Sequence, residues 1–202
     1  MKFITFEEKE YLKKLLLNNE VIAFPTETVF GLGAISTSEI AFNNLVKVKN
    51  RAPDKPFTLM CSNVNQISNY AYVDDLSKKI IDKFMPGSLT ILLKAKPNIP
   101  YYIHLDSEFV GFRIPGNEEL VDFIDYVGEP LLVPSANKSN EKPCLTPEEV
   151  KQVFDKEIEV CVTGKTESNI PSTIIKVDNG IITLVREGTL LFSDILKEVE
   201  KC

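Results

Sequence analysis

The stretch that decides the fold is residues 21–34, Val-Ile-Ala-Phe-Pro-Thr-Glu-Thr-Val-Phe-Gly-Leu-Gly-Ala. Its first four residues form an uninterrupted apolar run, which predicts a short buried strand that ends at Pro25. The threonine-rich residues after it predict a loop that joins this strand to a helix, and such loops commonly carry binding groups. Hydroxyl or cationic side chains also accompany later apolar runs. This combination predicts a site for anions and a small polar ligand.

Helices and strands alternate along the rest of the chain. Capping boxes of Thr5 with Glu8 and of Ser36 with Glu39 predict two helices, the second running to about Val48. Thr146-Pro147 predicts another helix start, with a helix to about Phe154. Further helices are predicted at residues 75–85 and 118–127, and strands at residues 57–61, 89–93, 110–114 and 131–133.

A hairpin is predicted near the end of the sequence. Asn179-Gly180 is flanked by the predicted strands 172–177 and 181–185, and both turn residues tolerate the positive φ of a tight turn. Alternating helices and strands together with a hairpin predict an α/β fold, a twisted mixed sheet with helices packed on it. We see no repeat or linker, so residues 1–202 are predicted to form a single domain, with residues 94–108 crossing its surface.

Composition excludes several classes of protein. The net charge of −6 argues against wholesale nonspecific nucleic-acid binding, although it does not exclude a local basic groove. The four cysteines are scattered and His104 is the only histidine, so neither a disulfide framework nor a typical zinc site is predicted. Ser135 also lacks the G-x-S-x-G pattern of serine hydrolases. Since no apolar run approaches spanning length, we expect a soluble cytoplasmic protein with reduced cysteines and no membrane contact.

Several candidate site residues also have an ordinary structural explanation. The basic run from Lys47 to Lys55 suits a helix end, whose dipole favours cations. Residues 26–28 could form a turn that hydrogen-bonds its own backbone, and Asn137 could cap a turn. Gly31-Leu32-Gly33 matches neither a Walker pattern nor a complete dinucleotide motif.

Four strand ends together favour the functional interpretation. The predicted strands that end near Phe24, Ile114, Val133 and Val185 each lie beside a hydroxyl or a cation. In open α/β sheets such ends commonly line the ligand crevice.

The ordered motifs resemble the YrdC/TsaC family of threonylcarbamoyl-AMP synthases, and the resemblance covers nearly the whole chain. The motifs that carry it are Pro-Thr-Glu-Thr-Val-Phe-Gly-Leu-Gly at residues 25–33, Lys49-Asn50-Arg51 as the family's K-x-R, Lys55-Pro56, residues 86–90, residues 110–115, Pro134-Ser135-Ala136-Asn137, Pro171-Ser172-Thr173 and Arg186-Glu187-Gly188.

This resemblance implies an enzyme that condenses L-threonine, bicarbonate and ATP to threonylcarbamoyl-AMP and pyrophosphate, a nucleotidyltransferase reaction. The product would pass to a t6A transferase machinery that modifies tRNAs reading ANN codons. The resemblance also implies a YrdC-like fold of the short, single-domain type, with a deep basic cavity. Mg²⁺ would enter with ATP, with no organic cofactor and no metal site assigned to protein ligands.

The resemblance also implies roles for individual residues. Threonine-binding positions are Thr28, Arg113, Ser135 and Ser172; catalytic positions are Lys49 and Arg51; ATP-binding positions are Arg51, Lys55, Asn137, Thr146 and Arg186. Three positions depart from the family pattern. Met60 lies near the place where longer relatives tend to have a histidine, residues 138–145 differ from the usual Leu-Ser-Gly start, and Lys55 stands where asparagine is common. The second departure bears directly on the assignment of Thr146.

Two other functions compete with this interpretation. One is a noncatalytic module that binds double-stranded RNA and acts in ribosome maturation, which the basic cluster around Lys49 could serve. The chain is acidic and has no motif of interleaved aromatic and basic residues that would support RNA binding. The other is a carbamoyl-transfer domain of the kind found in hydrogenase-maturation proteins, but the sequence lacks the accompanying zinc-finger and acylphosphatase-like segments.

Overall fold

A mixed β-sheet of ten strands runs through the computed structural model, which describes residues 1–52 and 54–200. The strands are β1 (Lys2–Ile4), β2 (Ile22–Phe24), β3 (Gly31–Ile35), β4 (Leu59–Met60), β5 (Leu89–Lys94), β6 (Phe109–Arg113), β7 (Leu131–Leu132), β8 (Val160–Val162), β9 (Thr173–Asp178) and β10 (Ile181–Arg186). Their order across the sheet is β1-β8-β2-β3-β7-β4-β6-β5-β9-β10. Four neighbouring pairs are parallel, β1 with β8, β8 with β2, β4 with β6, and β5 with β9, and the others are antiparallel.

Helices flank this sheet, which confirms the predicted α/β class. They are α1 (Lys9–Leu17), α2 (Glu39–Lys49), α3 (Val64–Tyr70), α4 (Asp75–Phe84), α5 (Tyr101–His104), α6 (Glu118–Val127), α7 (Pro147–Phe154) and α8 (Phe192–Glu200), with a 3-10 turn at Phe6–Glu8 before α1. In the ranges that the structure describes, no helix has the length and apolar character needed to cross a bilayer.

Several elements lie where local sequence signals predicted them. Helix α6 has the predicted bounds, because Asn117 caps its start by accepting from the Leu120 N–H and Gly128 ends it at φ 89°. The predicted hairpin is formed by β9 and β10, and its turn has φ values of 50° at Asn179 and 77° at Gly180. These signals are contained within a few residues, so tertiary packing had little scope to override them.

Both predicted N-terminal capping boxes are wrong in detail. The Thr5 side chain makes no cap hydrogen bond, since a 3-10 turn precedes α1. Helix α2 is capped by Ser38, whose hydroxyl accepts from the Ala41 N–H, whereas Ser36 is buried and its hydroxyl lies 3.3 Å from that of Tyr70. The helix therefore begins two residues later than the capping box predicted.

The threonine-rich segment is shorter than the predicted loop, because its glycines belong to β3 rather than to a loop leading into α2. Strand β3 pairs with β2 in a register that sets Phe24 opposite Gly31 and Ile22 opposite Gly33. A Cβ added at Gly33 would lie 2.3 Å from the Phe24 ring, and one at Gly31 would lie 3.3 Å from it. Gly33 therefore makes space for the buried Phe24 ring, and Gly31 makes space for that ring and for Val133, which would lie 2.8 Å from an added Cβ. Strands β1 and β8 and helices α3, α5 and α8 are further elements that the sequence analysis did not predict.

The cysteines agree with the prediction of reduced thiols as far as the structure describes them. Cys61, Cys144 and Cys161 are free and buried, and Cys202 lies outside the described residues. Burial raises the pKa of the Cys144 thiol to about 11 and that of Cys161 to about 12. At neutral pH both are protonated and unreactive.

Replacing Gly33 with alanine should destabilise the fold by about 1–3 kcal/mol, because the added methyl overlaps the fully buried Phe24 ring. Urea unfolding of the purified variant measures this loss. Gly128→Ala is the comparison, since a Cβ there meets open space and only the positive φ is strained, at a cost of about 1 kcal/mol. A Gly33→Ala protein as stable as the parent would contradict the packing described here.

Candidate functional site

A cavity of about 660 Å³ lies between four parts of the chain. They are the segments that follow β2, α2 and β7, and the residues at the start of β9. Arg113 at the end of β6 and Arg186 at the end of β10 also line it. Five cationic side chains face it, Lys49, Arg51, Lys55, Arg113 and Arg186, against the two carboxylates Asp54 and Glu141. Such an excess of fixed positive charge favours polyanionic ligands.

Lys49 is held at the end of α2 by the turn that follows β7. Its Nζ donates to the Ser135 carbonyl oxygen at 2.5 Å and to Asn137 Oδ1 at 2.6 Å. The helix ends here because Asn50 takes a left-handed conformation with φ 48°. Burial of the ammonium and, after it, the charge of Arg51 lower the pKa of Lys49 to about 8.

Arg51 lies beyond the helix end with its guanidinium 4.9 Å from the centre of the Phe57 ring. A cation at this distance is attracted by the negative face of the ring. Burial lowers the Arg51 pKa, while the charge of Asp54 acts in the opposite direction. Lys55, on the same segment, is exposed. An arginine remains charged despite such a shift.

Arg113 is the most constrained cation of the cavity. Its Nε donates to the Gly87 carbonyl oxygen at 3.2 Å, and its Nη2 donates to Thr28 Oγ1 at 3.1 Å. The same Nη2 lies 2.7 Å from Glu27 Oε1, and both side chains are more than nine-tenths buried. The Nη2 of Arg186 donates to the Ser172 carbonyl oxygen at 2.7 Å. Burial, and after it the charge of Arg113, lower the pKa of Arg186.

Hydroxyl groups line the same cavity as these cations. Thr26 Oγ1 lies 3.0 Å from Thr28 Oγ1, and Thr90 Oγ1 lies 2.9 Å from Ser172 Oγ. Ser135 donates to Asn137 Oδ1 at 2.6 Å. Because a hydroxyl can both donate and accept, these groups can orient a small polar ligand whose charge the cations neutralise.

The structure brings together nearly all the predicted site residues. The lining includes every predicted threonine-binding and catalytic position, and Lys55, Asn137 and Arg186 from the predicted ATP-binding set. Thr146 is not in the lining; its hydroxyl accepts from the Glu149 N–H and caps α7. The Thr146 hydroxyl therefore has a role in capping, and no contact with the cavity supports its predicted role in ATP binding.

Other lining residues were not predicted as site residues. Thr58 precedes β4 and Met60 is its last residue, opposite Arg113 in the register. Thr90 lies on β5 beside Ser172. The alternation of side chains along these strands was the available signal, since it puts every second residue on the cavity face. Among the described residues, no group of three or more His, Cys, Asp and Glu side chains could share a metal ion.

Comparison with known proteins assigns the family. A model of the Sua5/YciO/YrdC domain, described as "Telomere recombination", matches residues 14–188. The chain belongs to the Sua5/YciO/YrdC family. The match includes every segment that lines the cavity.

Three relatives show how this Sua5/YciO/YrdC chain compares with named members. A Methanocaldococcus jannaschii protein, provisionally named a threonylcarbamoyl-AMP synthase, is 40% identical over 182 residues, covering 90% of this chain and 86% of its own. The threonylcarbamoyl-AMP synthase of Buchnera aphidicola from Acyrthosiphon pisum is 39% identical over 82% of this chain and 97% of its own. The crystal structure of P. abyssi Sua5 complexed with L-threonine has a TM-score of 0.92 at 26% identity, and covers 98% of this chain. This chain spans 61% of that Sua5 chain.

The lowered pKa of Lys49 predicts a pH-dependent affinity for phosphate. Pyrophosphate binding should weaken about tenfold between about pH 7 and pH 9, because the ammonium that attracts it loses its proton as the pH rises through about 8. Calorimetry across this range measures the effect. Lys49→Arg keeps its charge throughout and should show a flatter profile, so identical slopes for the two proteins would contradict the assignment.

Proposed function

We propose that this chain is a threonylcarbamoyl-AMP synthase, which condenses L-threonine, bicarbonate and ATP and releases pyrophosphate. Its product would be the activated group for t6A modification of tRNA. The observation that carries the proposal is the cavity, in which five cations surround a set of hydroxyls. The names of the relatives and the L-threonine bound by P. abyssi Sua5 support it.

The triphosphate of ATP is proposed to bind on the side of Lys49, Arg51 and Arg186. Their side chains are anchored by the Ser135 carbonyl, the Phe57 ring and the Ser172 carbonyl, so little rotamer freedom remains to be lost when phosphate binds. Lys55, which is exposed at the cavity edge, and Asn137 complete the proposed set. Lys49 and Arg51 would stabilise the charge that develops on the transferred phosphorus and the leaving pyrophosphate.

L-Threonine is proposed to bind beside Arg113. Within residues 1–52 and 54–200, Nη1 of this guanidinium has no hydrogen-bond partner, so its two N–H groups are available for the substrate carboxylate. Thr28, Ser135 and Ser172 place hydroxyls in the same cavity and can bind the substrate hydroxyl and amine. Met60, opposite Arg113 in the sheet register, offers an apolar contact for the substrate methyl group.

The proposed reaction has two steps. The amine of L-threonine first combines with bicarbonate to give a carbamate and water. A carbamate oxygen then attacks the α-phosphorus of ATP, forming an O–P bond as the bond to the β-phosphate oxygen breaks and pyrophosphate leaves. The carbamate is already an anionic nucleophile, so the chain's contribution is to hold anions together and neutralise them.

Mg²⁺ is proposed to enter with the triphosphate and to share its charge. Asp54 and Glu141 are the carboxylates among the described lining residues, both are exposed, and either could approach a phosphate-bound ion. Their oxygen donors suit this hard cation.

Pyrophosphate release from ATP tests the proposed function. The purified protein should release pyrophosphate only when L-threonine and bicarbonate are both present, and mass spectrometry should detect threonylcarbamoyl-AMP. A folded protein that releases none, yet binds RNA in a salt-sensitive manner, would favour the noncatalytic module and reject the synthase.

Arg51→Ala should lower kcat/KM for adenylate formation by about a hundredfold or more while leaving the fold intact, because the residue is only partly buried and holds phosphate charge. Lys47→Ala is the matched control, since it removes one exposed cation of the same helix end that does not line the cavity. Equal activities of the two variants would refute the role of Arg51.

A further inference from the structure

Glu27 is a buried carboxylate whose charge the proposed reaction does not use. It lies between two lining threonines, Thr26 and Thr28, but does not itself line the cavity. Its contact with Arg113 is an ion pair rather than an aligned hydrogen bond, since in the described part of the chain neither carboxylate oxygen has a hydrogen-bond partner. A carboxylate left in this state is costly, so its main compensation is the charge of Arg113.

The surroundings of Glu27 fix its position. Its backbone carbonyl accepts from the N–H groups of Glu167 and Ser168, each at 3.1 Å. Gly116 lies against the carboxyl group, where an added Cβ would be only 3.2 Å from Cδ. The carboxylate is thereby held against Arg113 from two sides.

This pairing distinguishes Arg113 from the other anchored cations of the cavity. Lys49 and Arg186 are held by neutral oxygens and Arg51 by an aromatic ring, and none of the three has a salt bridge in the residues that the structure describes. Asp54 offsets part of the Arg51 charge from a distance. The Glu27–Arg113 pair is therefore close to neutral, whereas Lys49, Arg51 and Arg186 keep most of their charge.

We infer that Glu27 is a specificity-determining positioning residue: it reserves Arg113 for the monoanionic carboxylate of the amino acid and keeps the phosphate groups on the other anchored cations. The identity of the amino-acid ligand rests on the proposed function. Coulombic attraction scales with ligand charge, so cancelling the charge of Arg113 weakens its pull on a polyanion far more than on a carboxylate. The free Nη1 donors still recognise a carboxylate by their geometry.

Pyrophosphate binding measured by calorimetry tests this inference without turnover. Glu27→Gln keeps the side-chain volume and removes the charge, so pyrophosphate should bind about tenfold more tightly and should now compete with L-threonine. In the parent protein the two ligands should bind together. Glu159→Gln is the control, because it removes one carboxylate that pairs with Lys2 and Tyr11 outside the cavity and should change neither behaviour.

A double variant keeps the test decisive if Glu27→Gln fails to fold. Glu27→Gln with Arg113→Gln removes both charges of the pair, so it avoids the large cost of an uncompensated buried charge. Its pyrophosphate affinity should stay within about twofold of the parent while L-threonine binding is lost, because the pair contributes little net charge to phosphate binding. An unchanged pyrophosphate affinity in Glu27→Gln, or a tenfold loss in the double variant, would overturn the inference. Absence of adenylate formation by the parent would overturn the proposed function alone.

Discussion

The repulsion between cations in one cavity is the constraint on which the site depends. Burial and the charge of Arg51 lower the pKa of Lys49 to about 8, and burial and the charge of Arg113 lower the pKa of Arg186 below its usual value. Lys49, Arg113 and Arg186 are held by partners from other segments, such as the Ser135 carbonyl for Lys49. Arg51 contacts the nearby Phe57 ring. The fold thus assembles the unfavourable charge before any ligand arrives. Ligand anions that relieve this repulsion gain binding energy from a structure that needs little rearrangement.

Some glycine and hydroxyl residues of the family motifs have structural roles that the motifs alone do not reveal. Gly31 and Gly33 look like part of a phosphate-binding loop, yet they lie in β3 and leave room for the Phe24 ring. The resemblance assigns Thr146 to ATP binding, yet its hydroxyl caps α7. In both cases a local packing or capping requirement accounts for the residue. Arg113 has no such local explanation, because it ends a strand and is buried away from the solvent that would otherwise hydrate its charge.

The predictable part of the fold is the part fixed by short-range chemistry. Asn117, Gly128, Asn179 and Gly180 determine the ends of α6 and the β9–β10 turn through capping bonds and positive φ values, and both predictions are confirmed. Strand β8 was not predicted, although Val160–Val162 is fully buried, because so short an apolar run has no periodicity of its own. Its existence depends on parallel pairing with β1 and β2, which are distant in sequence.

The candidate site was predictable as a set of residue types, but its electrostatic organisation was not. Arginine at a strand end and threonine after Pro25 indicate an anion site, and the structure puts them in one cavity. Nothing in the spacing of Glu27 and Arg113 indicates that they meet, since their contact requires β6 and the segment after β2 to converge. An acidic residue within a binding motif is easily taken for a turn residue or a ligand. Glu27 is instead buried against Arg113, so this one cation of the five is nearly neutral while the others keep their charge. We infer that this difference lets a single cavity separate a carboxylate from a triphosphate.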